Sequence, residues 1–248
     1  MKNNVTRICL APTMQCNFHC PNCQFKDSSL NRSKVWDELY IYSVIDIIEN
    51  KMPTVTTASI LGGEPSLWPH LPTLVDKLHG IGVKVQTVSN GTGSPEVYGA
   101  SDVIRITDYG ASNKWLYWNL RKKLGRRVHF LPGVHIPMDI PWTEKVQCSC
   151  WGWMFVGNMV YQCGEQARLD INGVCTDNGF NPVLIADPTK QECCHTCPSN
   201  KAAYNRVAPP IMAQFSIWGV EEANFIFRLP IPRSARRLYS LLRRLRGR

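Results

Sequence analysis

No stretch of the 248 residues stays apolar for long enough to cross a bilayer, which excludes a membrane-spanning helix. The opening residues, Met1-Lys2-Asn3-Asn4, have no apolar signal segment behind them. The expectation is a cytoplasmic chain, in a compartment where thiols stay reduced. Acidic residues are scarce, 19 against 28 Lys and Arg. The shortage is uneven: Arg233–Arg248 contains seven arginines and no acid, and the rest of the chain is close to balanced. The basic character therefore belongs to the tail and says little about the body. Aromatic residues interleaved for base stacking are scarce as well, which argues against nucleic acid as the partner. What the chain does have is 44% apolar residues, enough for a core, and 11 cysteines. In a reducing compartment so many thiols point to metal ligation over disulfides.

Three of those thiols fall in Cys16-Asn17-Phe18-His19-Cys20-Pro21-Asn22-Cys23, spaced C-x3-C-x2-C. Thiolates at this spacing in a tight loop reach one iron–sulfur cluster from three corners. A fourth ligand would close an ordinary [4Fe–4S] site, and its lack here leaves one iron open to another molecule. The competing reading is zinc, with a C-x2-C pair as half of the site and His19 as a further ligand.

Along the chain, Thr6–Ala11 predicts a first strand leading into the cysteine loop, with Cys9 as a small core residue. Lys34–Asn50 predicts a helix with Leu39, Tyr42, Ile45 and Ile48 near helical spacing. Val55–Leu61 is a second strand running into Gly62-Gly63-Glu64-Pro65. Leu71–His79 is a second helix, with Leu71, Leu74, Val75 and Leu78 on one face. Val83–Val88, Val103–Thr107 and Val128–Leu131 complete the strands, with Gly133–Ile136 as a continuation and a helix over Trp115–Leu124. This alternation to about residue 140 predicts parallel strands with right-handed crossovers. Ligands gather at the carboxyl ends of such strands. The cysteine loop, Glu64, Asn90 and Asp108 all fall there.

The cysteine loop, followed by Gly62-Gly63-Glu64 after the second strand, resembles the signature of the radical S-adenosylmethionine (SAM) superfamily. The resemblance implies an abbreviated partial (β/α) barrel with a [4Fe–4S] cluster on Cys16, Cys20 and Cys23. It implies that Gly62, Gly63 and Glu64 hold the SAM amino group. Ser89 and Asn90 stand where the family has polar contacts to the SAM carboxylate or ribose. The family usually has an aromatic residue just before the third cysteine. Asn22 stands there instead, leaving adenine to Phe18 or Phe25. Reductive cleavage of SAM to methionine and a 5′-deoxyadenosyl radical is the implied activity, with a flavodoxin- or ferredoxin-type electron donor as partner. Arg105, Asp108 and Tyr109 at the end of the fourth strand, and His135, are the candidate substrate contacts. Asp108 or Arg105 is also a candidate proton acceptor.

From Pro141 the pattern changes. Cys148, Cys150, Cys163, Cys175, Cys193, Cys194 and Cys197 accumulate around a hairpin with Gly157-Asn158 at its turn. This segment resembles the SPASM and shorter twitch extensions of the superfamily, and its length favours the one-cluster version. That implies a second [4Fe–4S] cluster on Cys163, Cys194 and Cys197 with Cys148 or Cys150 as first ligand, Cys193 competing with Cys194. A four-thiolate zinc site satisfies the same cysteines. Cys175 is left as a structural thiol or a hydrogen-atom donor. The expected domains are 1–140 as core, 141–205 as cluster extension and 206–248 as a tail. Leu238, Leu241, Leu242 and Leu245 share one helical face of that tail among arginines, which suits an anionic membrane surface or an acidic partner. A second cluster that accepts an electron favours an oxidoreductase acting on a carbohydrate- or aminocyclitol-like molecule. A peptide-maturing enzyme, by crosslinking or epimerisation, is the other enzymatic reading. A zinc-binding interaction module is the non-enzymatic one.

Overall fold

The computed structural model describes residues 5–20, 23, 35–107, 111–131, 153–169 and 173–177. All lie in the first of two compact units, Met1–Pro209. The segments carrying Asp108, Tyr109, His135, Cys148, Cys150, Cys193, Cys194, Cys197 and the basic tail lie outside the described residues.

Eight strands form one sheet in the order β5-β4-β3-β2-β1-β6-β7-β8. They are β1 (Arg7–Ala11), β2 (Thr57–Ile60), β3 (Lys84–Ser89), β4 (Val103–Thr107), β5 (Val128–Leu131), β6 (Trp153–Val156), β7 (Met159–Tyr161) and β8 (Val174–Cys175). From β5 through β6 all neighbours are parallel, and β7 and β8 add antiparallel pairs. The helices are α1 (Glu38–Lys51), α2 (Leu71–Gly80), α3 (Ala111–Leu124) and α4 (Gly164–Leu169).

Helices α1 and α2 share one core with Ile8, Leu10, Ala58, Ile60 and Val85 of the strands. Helix α3 supplies Leu120 to a neighbouring core with Ile104, Ile106 and Val128. By strand alternation and register these strand residues lie on one side of the sheet. The opposite side carries Cys9, Ser59, Gln86, Arg105 and His129. Along β1 to β5 the described helices thus cover one side, as in a partial (β/α) barrel; α4 begins against Met154, the register partner of Cys9, on the other.

The spacing of Leu71, Leu74, Val75 and Leu78 gives the buried face of α2 correctly, since all four are buried. Helix α1 differs from its sequence reading. Asp37 caps it, its side chain accepting the Tyr40 N–H at 2.8 Å, so the helix starts later than Lys34. Its buried residues are Tyr40, Ile41, Val44, Ile45, Ile47 and Ile48, whereas Leu39 is 79% exposed. A run at every third residue slips by roughly 60° per step around a 3.6-residue turn. Leu39 and Ile48 therefore stand on opposite faces.

The hairpin with Gly157-Asn158 at its turn forms as read, but its first strand joins the core sheet. Strand β6 pairs parallel with β1, Ile8 to Trp153 and Leu10 to Phe155. The sheet thus crosses the expected boundary at 140/141. The reason is the exposed edge that β1 would otherwise present and the apolar surface of Trp153 and Phe155, which closes the same core.

Candidate functional site

Strands β1, β2 and β3 are adjacent and parallel, so the chain leaves all three at the same end of the sheet. There β1 and β2 stay zipped beyond their last paired residues. Leu61 N–H donates to Leu10 O at 2.8 Å, Gly63 N–H to Thr13 O at 2.9 Å and Glu64 N–H to Gln15 O at 2.7 Å. The glycines permit this approach. A Cβ on Gly62 would stand 2.4 Å from Thr13 O, and one on Gly63 2.1 Å from Gln15 O. Gly62 also has φ of 126°, which side chains disfavour. The backbone leading into Cys16 is what packs against both glycines.

Glu64 follows, 1% exposed. Its Oε1 accepts from Ser66 N–H (3.0 Å), Ser66 Oγ (2.6 Å) and Ser89 Oγ (2.7 Å). Its Oε2 accepts from Asn90 N–H at 2.7 Å. The Ser89 proton is committed to Glu64, so the Tyr98 hydroxyl 2.7 Å away donates to Ser89 Oγ. Tyr98 in turn accepts from Gly93 N–H at 3.2 Å. Burial, with the Glu64 charge adding to it, pushes the Tyr98 phenol up to about 12, so it keeps its proton. Residues predicted to touch SAM are thus bound first to one another. Among the described residues no cation pairs with Glu64. Its Oε2 keeps a lone pair open beside one donor. A buried carboxylate in this state suits an ammonium group such as that of SAM.

Cys16, Cys20 and Cys23 form no disulfide, Cys16 and Cys23 being exposed and Cys20 half-buried. Phe18 N–H points at Cys16 Sγ, 3.4 Å away. Cys23 N–H donates to Cys20 O at 3.2 Å, closing the end of the loop. Desolvation raises the Cys16 thiol above its ordinary range; the Phe18 N–H opposes this, and the charges of Glu64 and Cys23 add to it. The surroundings are short of positive charge, and iron would supply it and bind the thiolate. Among the described residues no three His, Cys, Asp or Glu side chains gather around the position of a single metal ion. The thiolates of a cube-shaped cluster go to three separate irons, so a loop of three thiols outside any disulfide suits that group.

The side chain of Asn90 turns toward the cysteine loop, donating from Nδ2 to Asn17 Oδ1 at 2.8 Å. Asn113 of α3, fully buried, donates to Asn90 O at 3.3 Å and also to Thr107 O, which joins the end of β4 to this turn. On the side of the sheet opposite α1, α2 and α3, Arg105 pairs in register with His129. Arg105 is 8% exposed. Burial, then the charges of Arg121 and Arg105, lowers the His129 imidazole below its ordinary value and keeps it neutral near pH 7. Arg105 was a candidate from sequence; His129, Asn17, Ser66, Thr92 and Tyr98 were not. Alternation of apolar residues in β5 marks His129 as facing away from the helices, but nothing local marks Tyr98.

Of the second cysteine group the described residues include Cys163 and Cys175, neither in a disulfide. Cys163 is buried at the start of α4, its Sγ accepting from Gln166 N–H at 3.4 Å. Gln162 Oε1 and Gln166 Nε2 are buried there without a partner. Orphaned polar atoms flanking a thiol suit a polar group that binds there. Cys175, half-buried in β8, lies 3.7 Å from Asn158 Nδ2.

Residues 10–106 match the model of the Radical SAM superfamily. No curated protein matches the sequence. The crystal structure of selenomethionine BtrN in an open conformation is similar over 82% of this chain and 99% of that one, with TM-score 0.60 and 13% identity. BtrN in complex with AdoMet and 2-DOIA is similar over 64% of this chain and 72% of that one, with TM-score 0.51 and 16% identity. Streptococcus suis SuiB bound to precursor peptide SuiA aligns over 76% of this chain and 67% of that one, with TM-score 0.44 and 11% identity. The BtrN likenesses show a shared fold. The cysteine loop, the Gly-Gly-Glu turn and the β3 turn all fall inside residues 10–106, the segment that is similar to the Radical SAM superfamily model.

Proposed function

We propose that the chain is a radical SAM oxidoreductase of dehydrogenase type, acting on a small polyhydroxylated molecule such as an aminocyclitol or sugar. The observation that carries this reading is the zip between the two signature segments, which fixes Gly63 and Glu64 against the residues leading into Cys16. Cys16, Cys20 and Cys23 would hold a [4Fe–4S] cluster, and Gly62, Gly63, Glu64, Ser89 and Asn90 would surround the SAM amino-acid end. When bound, the cluster and SAM supply a 5′-deoxyadenosyl radical that takes hydrogen from an unactivated carbon. The protein's share is orientation and exclusion of water. Arg105 offers hydrogen-bond donors to substrate oxygens, with Asp108 and Tyr109 following at the end of the same strand. The neutral imidazole of His129 stands beside Arg105 and offers an acceptor. Cys163, Cys194, Cys197 and Cys148 or Cys150 would hold a second cluster, and the orphaned Gln162 and Gln166 atoms beside Cys163 support a polar occupant there. The likeness to BtrN, described in complex with AdoMet and 2-DOIA, supports a small substrate.

The test is anaerobic reconstitution followed by reduction with dithionite in the presence of SAM. The expected result is 5′-deoxyadenosine and methionine, with roughly eight irons per chain from two clusters. With a panel of aminocyclitols and sugars, one carbonyl product should form per 5′-deoxyadenosine. Zinc as the only metal, with no SAM cleavage, would refute the enzyme. Solvent deuterium in an unoxidised product would replace dehydrogenation by epimerisation.

A further inference from the structure

Three side chains around the site close a ring of hydrogen bonds that none of the signature motifs contains. Asn17 follows Cys16 directly. Its Oδ1 accepts from Asn90 Nδ2 at 2.8 Å, and its Nδ2 donates to Thr92 Oγ1 at 3.0 Å. Thr92 returns to Asn90, whose Oδ1 accepts both the Thr92 hydroxyl (2.7 Å) and the Thr92 N–H (3.0 Å). Each donor meets an acceptor in one sense around the ring, so each amide has one orientation that satisfies it. The ring joins two loops distant in sequence, the one that carries the cysteines and the one that ends β3.

Its place in the chain gives the ring its meaning. The zip with the Gly-Gly-Glu turn anchors the cysteine loop as far as Gln15. The bonds from Phe18 N–H to Cys16 and from Cys23 N–H to Cys20 are internal to the loop and do not fix it against the sheet. Asn17 is the next tether, set directly after the first thiol. Asn17 is exposed and Thr92 half-buried, so water competes for every bond and the ring adds little to folding. What it fixes is a direction. Asn90, the far end of the tether, is also the residue whose N–H holds Glu64 Oε2.

We propose that Asn17 is a positioning residue: through Asn90 and Thr92 it makes the cysteine loop and the SAM-binding turn move as one body. This rests on the radical SAM reading above. Loss of the ring would leave the cluster in place but loosen its register with SAM.

The experiment compares reconstituted wild type with Asn17→Ala, Asn17→Asp, Thr92→Val and the Asn17→Ala/Thr92→Val double variant. Iron content, the SAM dissociation constant and the electron paramagnetic resonance spectrum of the reduced cluster with and without SAM are measured. Wild type should show a spectrum that changes on adding SAM. Asn17→Ala and Thr92→Val should each weaken SAM about tenfold, with iron as in wild type and a blunted spectral change. The double variant should be no worse than either single one, because both break the same ring. Asn17→Asp keeps an acceptor for Asn90 and loses the donor to Thr92, so it should fall between. If Asn17→Ala loses its iron, Thr92→Val and Asn17→Asp, which keep the residue at 17 polar or untouched, decide the question. Variants with full iron, unchanged SAM affinity and an unchanged spectral response would overturn the positioning role while leaving the superfamily chemistry intact. Additive losses in the double variant would overturn it too. A wild-type cluster that does not respond to SAM would overturn both.

Discussion

Four donors converge on the Glu64 carboxylate, those of Ser89 and Asn90 buried and those of Ser66 half-buried, so the side chain at this position has to accept and only accept. Glu64→Gln keeps the shape and replaces one oxygen by an NH2 group. Whichever way the amide turns, at least one backbone or hydroxyl donor then faces another donor. We expect a loss of about 2 kcal/mol in urea unfolding, from one bond removed and one buried donor left unmatched. SAM affinity should fall with it, read by equilibrium dialysis of the reconstituted protein. A second residue, far from the site, tests the electrostatics by pH. Asp102 Oδ2 accepts Val85 N–H at 2.7 Å and lies 2.9 Å from His79 Nε2. Burial resists its ionisation, but the Val85 N–H, the His79 contact and the charge of Lys84 outweigh that and hold the carboxyl below its ordinary value. A folded value below the unfolded one gives stability that is full above the unfolded value and lost as pH falls through the folded one. The gap in urea midpoint between wild type and Asp102→Asn should therefore be flat from neutral pH down to about 4 and close in more acid solution.

The cysteine loop hangs from the Gly-Gly-Glu turn as one element, and Gly63 is where the suspension is tightest. A Cβ there meets backbone atoms, which cannot rotate away, so Gly63→Ala must push the Gln15 peptide and Cys16 out of place. Iron retained after reconstitution should drop to a small fraction of wild type. Gly80→Ala, whose Cβ would meet nothing within 4 Å, is the control and should retain its iron. Elements whose cause is local could be read from the sequence. The α2 face follows from 3.6-residue spacing, the strand β4 keeps its predicted bounds, and the hairpin turn follows from Gly157-Asn158. The cysteine loop and Gly-Gly-Glu could also be read, because their spacing is part of the chemistry. What escaped has causes at a distance. Leu39 looks like part of an apolar stripe until Asp37 fixes where α1 begins. The glycines' close approach is to a segment from another strand. The partners of Asn17 are defined only once β1 and β3 are brought to the same end of the sheet.

At the scale of the whole molecule, the described part of the cysteine-rich half is joined to the core through strand β6, the Trp36 side chain and the Tyr40 hydroxyl, which lies 2.6 Å from Thr176 Oγ1. Strand β6 covers the edge of β1, the strand that delivers the cysteine loop, and Trp153, Phe155 and Val160 lie in the same core as Ile8 and Leu10. Trp36, 1% exposed, makes the second link: its Nε1 donates to Gly157 O at 2.8 Å, its N–H to Pro12 O at 2.9 Å, and its O accepts from Trp68 Nε1 at 2.8 Å. One residue, by its indole and its backbone, thus connects the hairpin turn, the end of β1 and the segment after Gly-Gly-Glu. A chain ended at residue 152 loses the partner of β1 and strands the donor of Trp36, while Ile8 and Leu10 lose part of their cover. Each large apolar side chain removed from this core withdraws about 2 kcal/mol of burial, and a parallel strand left as an edge invites pairing with other copies. With total stabilities of about 5–15 kcal/mol in ordinary domains, the loss of three such side chains and a strand ladder leaves little margin. The fragment is therefore expected to be aggregated or without cooperative unfolding, judged by size-exclusion chromatography and a urea titration. A soluble, two-state fragment that still takes up a cluster would show that the core closes without β6. It would support the boundary at 140/141 expected from the change of pattern at Pro141.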